Sequence, residues 1–127
     1  SIHLQLNLVG DAVIDSDKAR LGVLLKNIIG NSIKYRKNET EAEINISIST
    51  KDRMLQVKIQ DNGEGIPEKH LGKVFDMFYR ATTTSIGTGL GLYICKEIVH
   101  KLKGNISLSS EHGVGTTVQF TIPLNQN

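Results

Sequence analysis

Two neighbouring stretches, "EINISIST" (43–50) and "MLQVKIQD" (54–61), alternate apolar and polar side chains without a break. Ile44, Ile46 and Ile48 share one face of the first; Leu55, Val57 and Ile59 share one face of the second. Successive strand side chains point to opposite sides, so each stretch reads as a strand with one apolar face. "KDR" between them leaves room only for a hairpin turn. Such a ribbon needs a cover for its apolar face, and the rest of the chain supplies one. "KARLGVLLKNIIGNSIKYRK" (18–37) sets Leu21, Leu24, Leu25, Ile28 and Ser32 on one helical stripe. A second helix is expected over about 90–103, burying Ile94, Cys95, Ile98 and Leu102 and ending at Gly104.

The remaining segments extend the sheet. "IHLQLNL" (2–8) alternates Leu4, Leu6 and Leu8 and reads as a half-buried strand. "AVID" (12–15) reads as a short second strand, after which Asp15, Ser16 or Asp17 caps the long helix. "NISLSS" and "TTVQFTIPL" are two further strands joined by the glycine turn "EHGVGT". Pro67 suits the first turn of a short helix, and a loop is expected from about Tyr79 to Gly87. The expected fold is α+β, a two-layer sandwich whose mixed, mostly antiparallel sheet is covered by helices on one face.

Composition narrows the function. With 127 residues the chain reads as a single domain, 1–127. A formal charge of +2 is too small to argue for nucleic acid. Cys95 has no second cysteine to pair with, which agrees with a reducing compartment. The four histidines and thirteen carboxylates show no zinc-type spacing. No apolar run approaches the ~20 residues of a membrane span. The first residue is Ser1 rather than Met, so the expectation is a piece of a longer protein.

Three places carry residues that a plain sandwich does not need. Asn27, Asn31, Lys34 and Tyr35 lie along one side of the first helix, beside its apolar stripe. Asparagine is a poor residue inside a helix. Two of them one turn apart, followed by a lysine, suit a hydrated cation and a phosphate, since an amide oxygen is a hard ligand for Mg²⁺. The plain alternative is a solvated polar face with a Tyr–Lys rim. "DNGEGI" (61–66) closes a strong strand with an acid and two glycines. A simple turn needs at most one glycine after Asp or Asn. Two would let a ring approach the backbone while Asp61 accepts a hydrogen bond from it, as from the exocyclic amine of adenine. The plain alternative here is a β-turn with one extra flexible residue. "GTGLGL" (87–92) opens the second helix with Gly87, Gly89 and Gly91 on alternate positions. It is neither a P-loop nor a dinucleotide fingerprint, but free amides at a helix start attract anions, and the same glycines can hinge the preceding loop.

In this order the motifs resemble the catalytic, ATP-binding domain of sensor histidine kinases, in the GHKL ATPase superfamily. "NIIGNSIKY" (27–35) resembles that family's N box, "DNGEGI" its G1 box, "FDMFYR" (75–80) its F box, "GTGLGL" its G2 box and "GVGTT" (113–117) its last glycine box. The resemblance covers roughly 2–124. It implies the Bergerat sandwich, with ATP and Mg²⁺ as cofactors. It implies that Asn31 ligates the metal, that Asn27 and Lys34 support metal and phosphates, and that Tyr35 lines the adenine pocket. Asp61 would accept the adenine amine, Gly63 and Gly65 would shape the pocket, Ile66 would wall it, and Thr116 would hold a bridging water. Phe75 and Phe78 would anchor a mobile ATP lid at about 67–89, and Arg80 would reach the phosphates. Gly87, Gly89 and Gly91, with the amides of Thr88, Leu90 and Leu92, would cradle the phosphate tail. Asn31, Lys34 and Arg80 form the implied catalytic set.

The implied reaction is transfer of the ATP γ-phosphoryl group to a histidine on a separate phosphoacceptor and dimerisation domain, with a response regulator receiver domain downstream. The parent would be a dimeric inner-membrane sensor holding this domain, itself monomeric, on the cytoplasmic side. Ser32 stands where the family most often has alanine, and the substitution is expected to be harmless. His3, His70, His100 and His112 fit no phosphoacceptor pattern and read as surface residues. The alternative functions are an anti-sigma-type serine kinase and a nucleotide-binding regulatory module without phosphotransfer.

Overall fold

A computed structural model of the chain describes residues 2–9, 18–76 and 91–124. The expected strand at 12–15, its capping residues, and the loop from Tyr79 to Gly87 lie outside them. The described elements are β1 (Ile2–Val9), α1 (Lys18–Lys34), β2 (Ala42–Lys51), β3 (Met54–Asp61), a 3₁₀ helix (Glu68–Lys73), α2 (Gly91–Lys101), β4 (Asn105–Glu111) and β5 (Gly115–Pro123). The five strands form one sheet in the order β1-β2-β3-β5-β4. β1 runs parallel to β2, and every other pairing is antiparallel. The sheet is therefore mixed and mostly antiparallel, as the strand pattern implies.

Register explains the layering. Ile46 faces Ile59, Ile59 faces Val118, and Val57 faces Phe120 across adjacent strands. These apolar rows form one continuous face. Leu21, Leu24 and Ile28 of α1 and Cys95 and Val99 of α2 are buried in the same core. Gln56, Lys58 and Gln60 point the other way and are exposed, so one face of the sheet is covered and the other is polar. Burial pushes the Cys95 thiol up to about 12, which leaves it a small apolar core residue rather than a reactive one.

β1 departs from the expectation. Its alternation does make a strand, but Leu4, Leu6 and Leu8 are 59%, 55% and 61% exposed rather than half-buried. They continue the rows of Ile44, Ile46 and Ile48, and no described residue buries them. Alternation fixes which side chains share a face, not whether anything lies over it.

Two connections are made without the usual glycine. The β2–β3 turn is Asp52-Arg53, both left-handed, with φ of 53° and 61°. That pair of positive values belongs to the type I′ hairpin, where the second position favours glycine. Arg53→Gly is therefore expected to raise stability by about 0.5–1 kcal/mol, checked by urea unfolding. At the end of α2, Gly104 N–H reaches Val99 O at 2.8 Å and Lys103 N–H reaches His100 O at 3.0 Å. Lys103 carries the positive φ of 64°, so the left-handed residue that closes the helix comes one position before the glycine expected to end it.

Candidate functional site

The motif residues meet at one end of the sheet because of register. Asp61, the last residue of β3, pairs with Thr116 at the start of β5. Ser110, near the end of β4, pairs with Thr116 from the other side. α1 ends above this edge at Lys34, so Asn31 and Ser32 are in its last turn.

Asp61 is the centre of the arrangement. Its Oδ1 accepts the N–H of Gly63 at 2.9 Å and of Thr116 at 3.2 Å. Its Oδ2 accepts the hydroxyl of Ser32 at 2.8 Å. A carboxylate offers about four lone-pair sites, so acceptor capacity remains on Oδ2 for a ligand's N–H. Ser32 is the buried polar residue among those described, at 7% exposure, and this bond satisfies it. The serine expected to be harmless therefore holds the carboxylate in place.

The loop after Asp61 is tied on both sides. Glu64 N–H donates to Tyr35 O at 2.9 Å, and Gly113 N–H donates to Glu64 O at 2.6 Å. Gly65 has a φ of +73°, and a Cβ there would lie 2.2 Å from the backbone oxygen of Glu111. Only glycine lets the loop pass so close to the β4–β5 turn. Ile66 N–H donates to Ser110 Oγ at 2.7 Å. Asn62, between the acid and the first glycine, turns away. Its side chain accepts from Glu43 N–H at 2.8 Å and donates to Glu41 O at 3.0 Å, clamping the start of β2. The Lys37 ammonium reaches the carbonyl of Gly113 and closes the ring of contacts.

The second cluster joins α1 to α2. Asn27 spends its NH₂ on Val23 O, 2.8 Å away and one turn back, which leaves its Oδ1 for the other side. That oxygen faces the start of α2: a Cβ built on Gly91 would lie 3.4 Å from Asn27 Oδ1 and 3.8 Å from Asn31 Oδ1. The Asn27 amide oxygen and the side of the Asn31 amide, whose Nδ2 would lie 4.0 Å from the same Cβ, thus meet beside the first described residue of α2, with Leu92 next along. Among the described residues no group of three or more His, Cys, Asp or Glu side chains gathers to hold a metal. Amide oxygens beside the first described turn of α2 suit a Mg²⁺ that keeps most of its water and takes phosphate oxygens instead.

Other expected residues are placed more loosely. The Lys34 ammonium sits 5.8 Å from the centroid of the Tyr35 ring, at the rim. Phe75 is half-buried just after the 3₁₀ helix, beside the buried Val74. Phe78, Arg80, Gly87, Thr88, Gly89 and Leu90 lie outside the described residues, as does most of the expected lid at 67–89. His3 is on the surface, with Nε2 2.6 Å from a carboxylate oxygen of Glu41, and His100 and His112 are exposed.

Residues 16–126 match the family described as histidine kinase-, DNA gyrase B- and HSP90-like ATPases. The chain is 39% identical over 117 residues to the sensor histidine kinase WalK of Bacillus subtilis, covering 89% of this chain and 19% of that protein. It is 38% identical over 119 residues to the sensor protein RprX of Bacteroides fragilis, covering 91% of this chain and 23% of that protein. It spans about a fifth of the length of these curated relatives. Among solved structures, the catalytic domain of the histidine kinase ThkA superposes with a TM-score of 0.77 at 27% identity. That match covers 97% of this chain and 82% of the other.

Proposed function

The chain belongs to the histidine kinase-, DNA gyrase B- and HSP90-like ATPase family, and we propose that within it this domain is the catalytic, ATP-binding part of a sensor histidine kinase. The observations that carry the proposal are the convergence of Asn27, Asn31 and Gly91 and an Asp61 held by three hydrogen bonds with acceptor capacity left on Oδ2. One cluster suits a metal and phosphates, and the other suits an amine-bearing ring.

The residues present fit both groups. Asp61 takes the exocyclic amine of adenine on Oδ2, the oxygen with spare capacity. Gly63 and Gly65 bring the backbone close to the ring, Ile66 walls it, Tyr35 borders it, and Thr116 holds a water against it. Asn31 ligates the metal, with Asn27 and Lys34 in support. The helix start at Gly91 and Leu92, together with Gly87, Thr88, Gly89, Leu90 and Arg80, holds the phosphate tail. Mg²⁺, when bound, neutralises phosphate charge and aligns the γ-phosphoryl group. The protein's share is positioning and charge compensation; no general base is needed from this chain.

The acceptor is a histidine on a separate dimerisation domain of the parent, and a receiver domain takes the phosphoryl group next. Residues 1–127 are one catalytic domain, with the lid at about 67–89. The parent is an inner-membrane dimer with this monomeric domain on its cytoplasmic side. Among the described residues no helix is long and apolar enough to cross a membrane. An anti-sigma-type or non-catalytic role has no observation in its favour.

The test mixes the chain with Mg-ATP labelled on the γ-phosphate and a purified helical domain bearing the acceptor histidine. The expected result is acid-labile label on that domain, lost with Asn31→Asp, which sets a negative charge against the phosphates. Binding of ATP without any transfer to a series of such domains would contradict the kinase assignment.

A further inference from the structure

The proton arrangement around Ser110 has a consequence for which base the pocket accepts. This rests on the nucleotide reading above. Ser110 Oγ lies 2.9 Å from Gly115 O, 2.8 Å from Thr116 Oγ1 and 2.7 Å from Ile66 N. A serine hydroxyl has one proton to give and two lone pairs to receive with. Gly115 O is a carbonyl and can only accept, so the Ser110 proton goes there. Ile66 N–H fills one lone pair. In the remaining contact, between the two hydroxyls, Thr116 must then be the donor. Its own proton is spent on Ser110, and Thr116 Oγ1 is left with lone pairs only.

We propose that Ser110 is a positioning residue that fixes Thr116 as an obligate acceptor and so makes the pocket select an amine over a carbonyl at position 6 of a purine. Asp61 Oδ2 is an acceptor on the same edge, and Thr116 N–H is already committed to Asp61 Oδ1. Two acceptors side by side welcome the N–H groups of an amine, directly or through a water. They oppose a carbonyl oxygen. Without Ser110 the Thr116 proton is released and can be donated to a carbonyl. Alternation in "NISLSS" sets Ser110 on the face of Ile106 and Leu108, opposite Ser107 and Ser109, but does not say what it meets there. Only cross-strand pairing identifies Thr116 as its neighbour.

The test compares ATP with inosine triphosphate, which differs from ATP in carrying a carbonyl for the amine at position 6 and a hydrogen on the adjacent ring nitrogen N1. Affinities are measured by calorimetry in Mg²⁺ for the wild-type chain, Ser110→Ala, Ser110→Thr, Thr116→Val and the double variant Ser110→Ala/Thr116→Val. The wild-type chain should prefer ATP. Ser110→Ala should shrink that preference roughly threefold to tenfold, the worth of one hydrogen bond exchanged. Ser110→Thr, which keeps the hydroxyl, should retain it. In the Thr116→Val background Ser110→Ala should change the preference no further, because the proton in question is gone.

A merely structural serine would weaken both nucleotides equally and leave their ratio intact, and that result overturns the proposal. So does an equal effect of Ser110→Ala with and without Thr116. Should Ser110→Ala fail to fold, Thr116→Val carries the test alone: its ATP preference must fall, and an unchanged ratio overturns the proposal. A wild-type chain that binds neither nucleotide contradicts the nucleotide reading itself, whereas one that binds ATP but ignores Ser110 contradicts only this role.

Discussion

Asp61→Asn should leave the fold standing and lower Mg-ATP affinity about 100-fold. The reason is in the partners of the side chain. Oδ1 receives two backbone N–H groups, from Gly63 and Thr116, and an asparagine can keep its oxygen there. Its NH₂ then takes the place of Oδ2, facing Ser32 and the ligand. The Ser32 hydroxyl can rotate and accept instead of donate, so the interior adapts. On the proposed site the adenine amine could not adapt, because a donor would meet a donor. Loss of a hydrogen bond to a charged group, plus that mismatch, is worth about 2–3 kcal/mol, which is the 100-fold. Calorimetry beside a thermal melt separates the two effects. An affinity within a factor of three of wild type would show that Asp61 does not read the base.

Gly115→Ala should do the opposite, damaging the scaffold first. Gly115 has a φ of 153°, and a Cβ there would lie 2.0 Å from the backbone oxygen of Asp61 and 3.0 Å from its carbonyl carbon. Both contacts are to main chain at the β3–β5 junction, so no side chain can swing aside. The expected cost is about 3 kcal/mol or more, a fall in thermal midpoint of roughly 10 °C. ATP binding should go with it, because the displaced atoms belong to Asp61 and its partner Thr116. Gly22→Ala is the control: it lies in α1 with no described neighbour within 4 Å of the added methyl, and it should leave stability unchanged or raise it by up to about 1 kcal/mol.

What the sequence makes legible follows distance along the chain. The β2–β3 hairpin is readable because alternation and turn fall within twenty residues, and β3 begins and ends where the pattern places it. The Asn27–Asn31 pair is readable because helical spacing alone puts the two on one side. What lies opposite them is not readable, since Gly91 arrives there through tertiary packing. Ser32 continues the apolar stripe of α1 and looks like a small spacer. Its partner, Asp61, is 29 residues away and comes to it through the sheet. Ser110 shares a face with Ile106 and Leu108 by alternation, but only register sets it against Thr116. The exposure of Leu4, Leu6 and Leu8 is invisible for a related reason, because burial is decided by the neighbouring layer and not by the strand itself.

The same logic explains a local rule that misleads. Glycine after a helix predicts a left-handed residue there, yet Lys103 takes that conformation and Gly104 follows it. The hydrogen-bond pattern needs one left-handed residue, and it does not dictate which of two neighbours supplies it.

In the function we propose, the N-terminal end of α2, the asparagines of α1 and the Asp61 loop form one Mg-ATP site. Titration of the wild-type chain with ATP in a calorimeter, with Mg²⁺ and again with a chelator, tests it most directly. Saturable one-to-one binding is expected in Mg²⁺, weakening at least tenfold when the metal is removed. Absence of saturable heat in Mg²⁺, or an affinity indifferent to the metal, would contradict it.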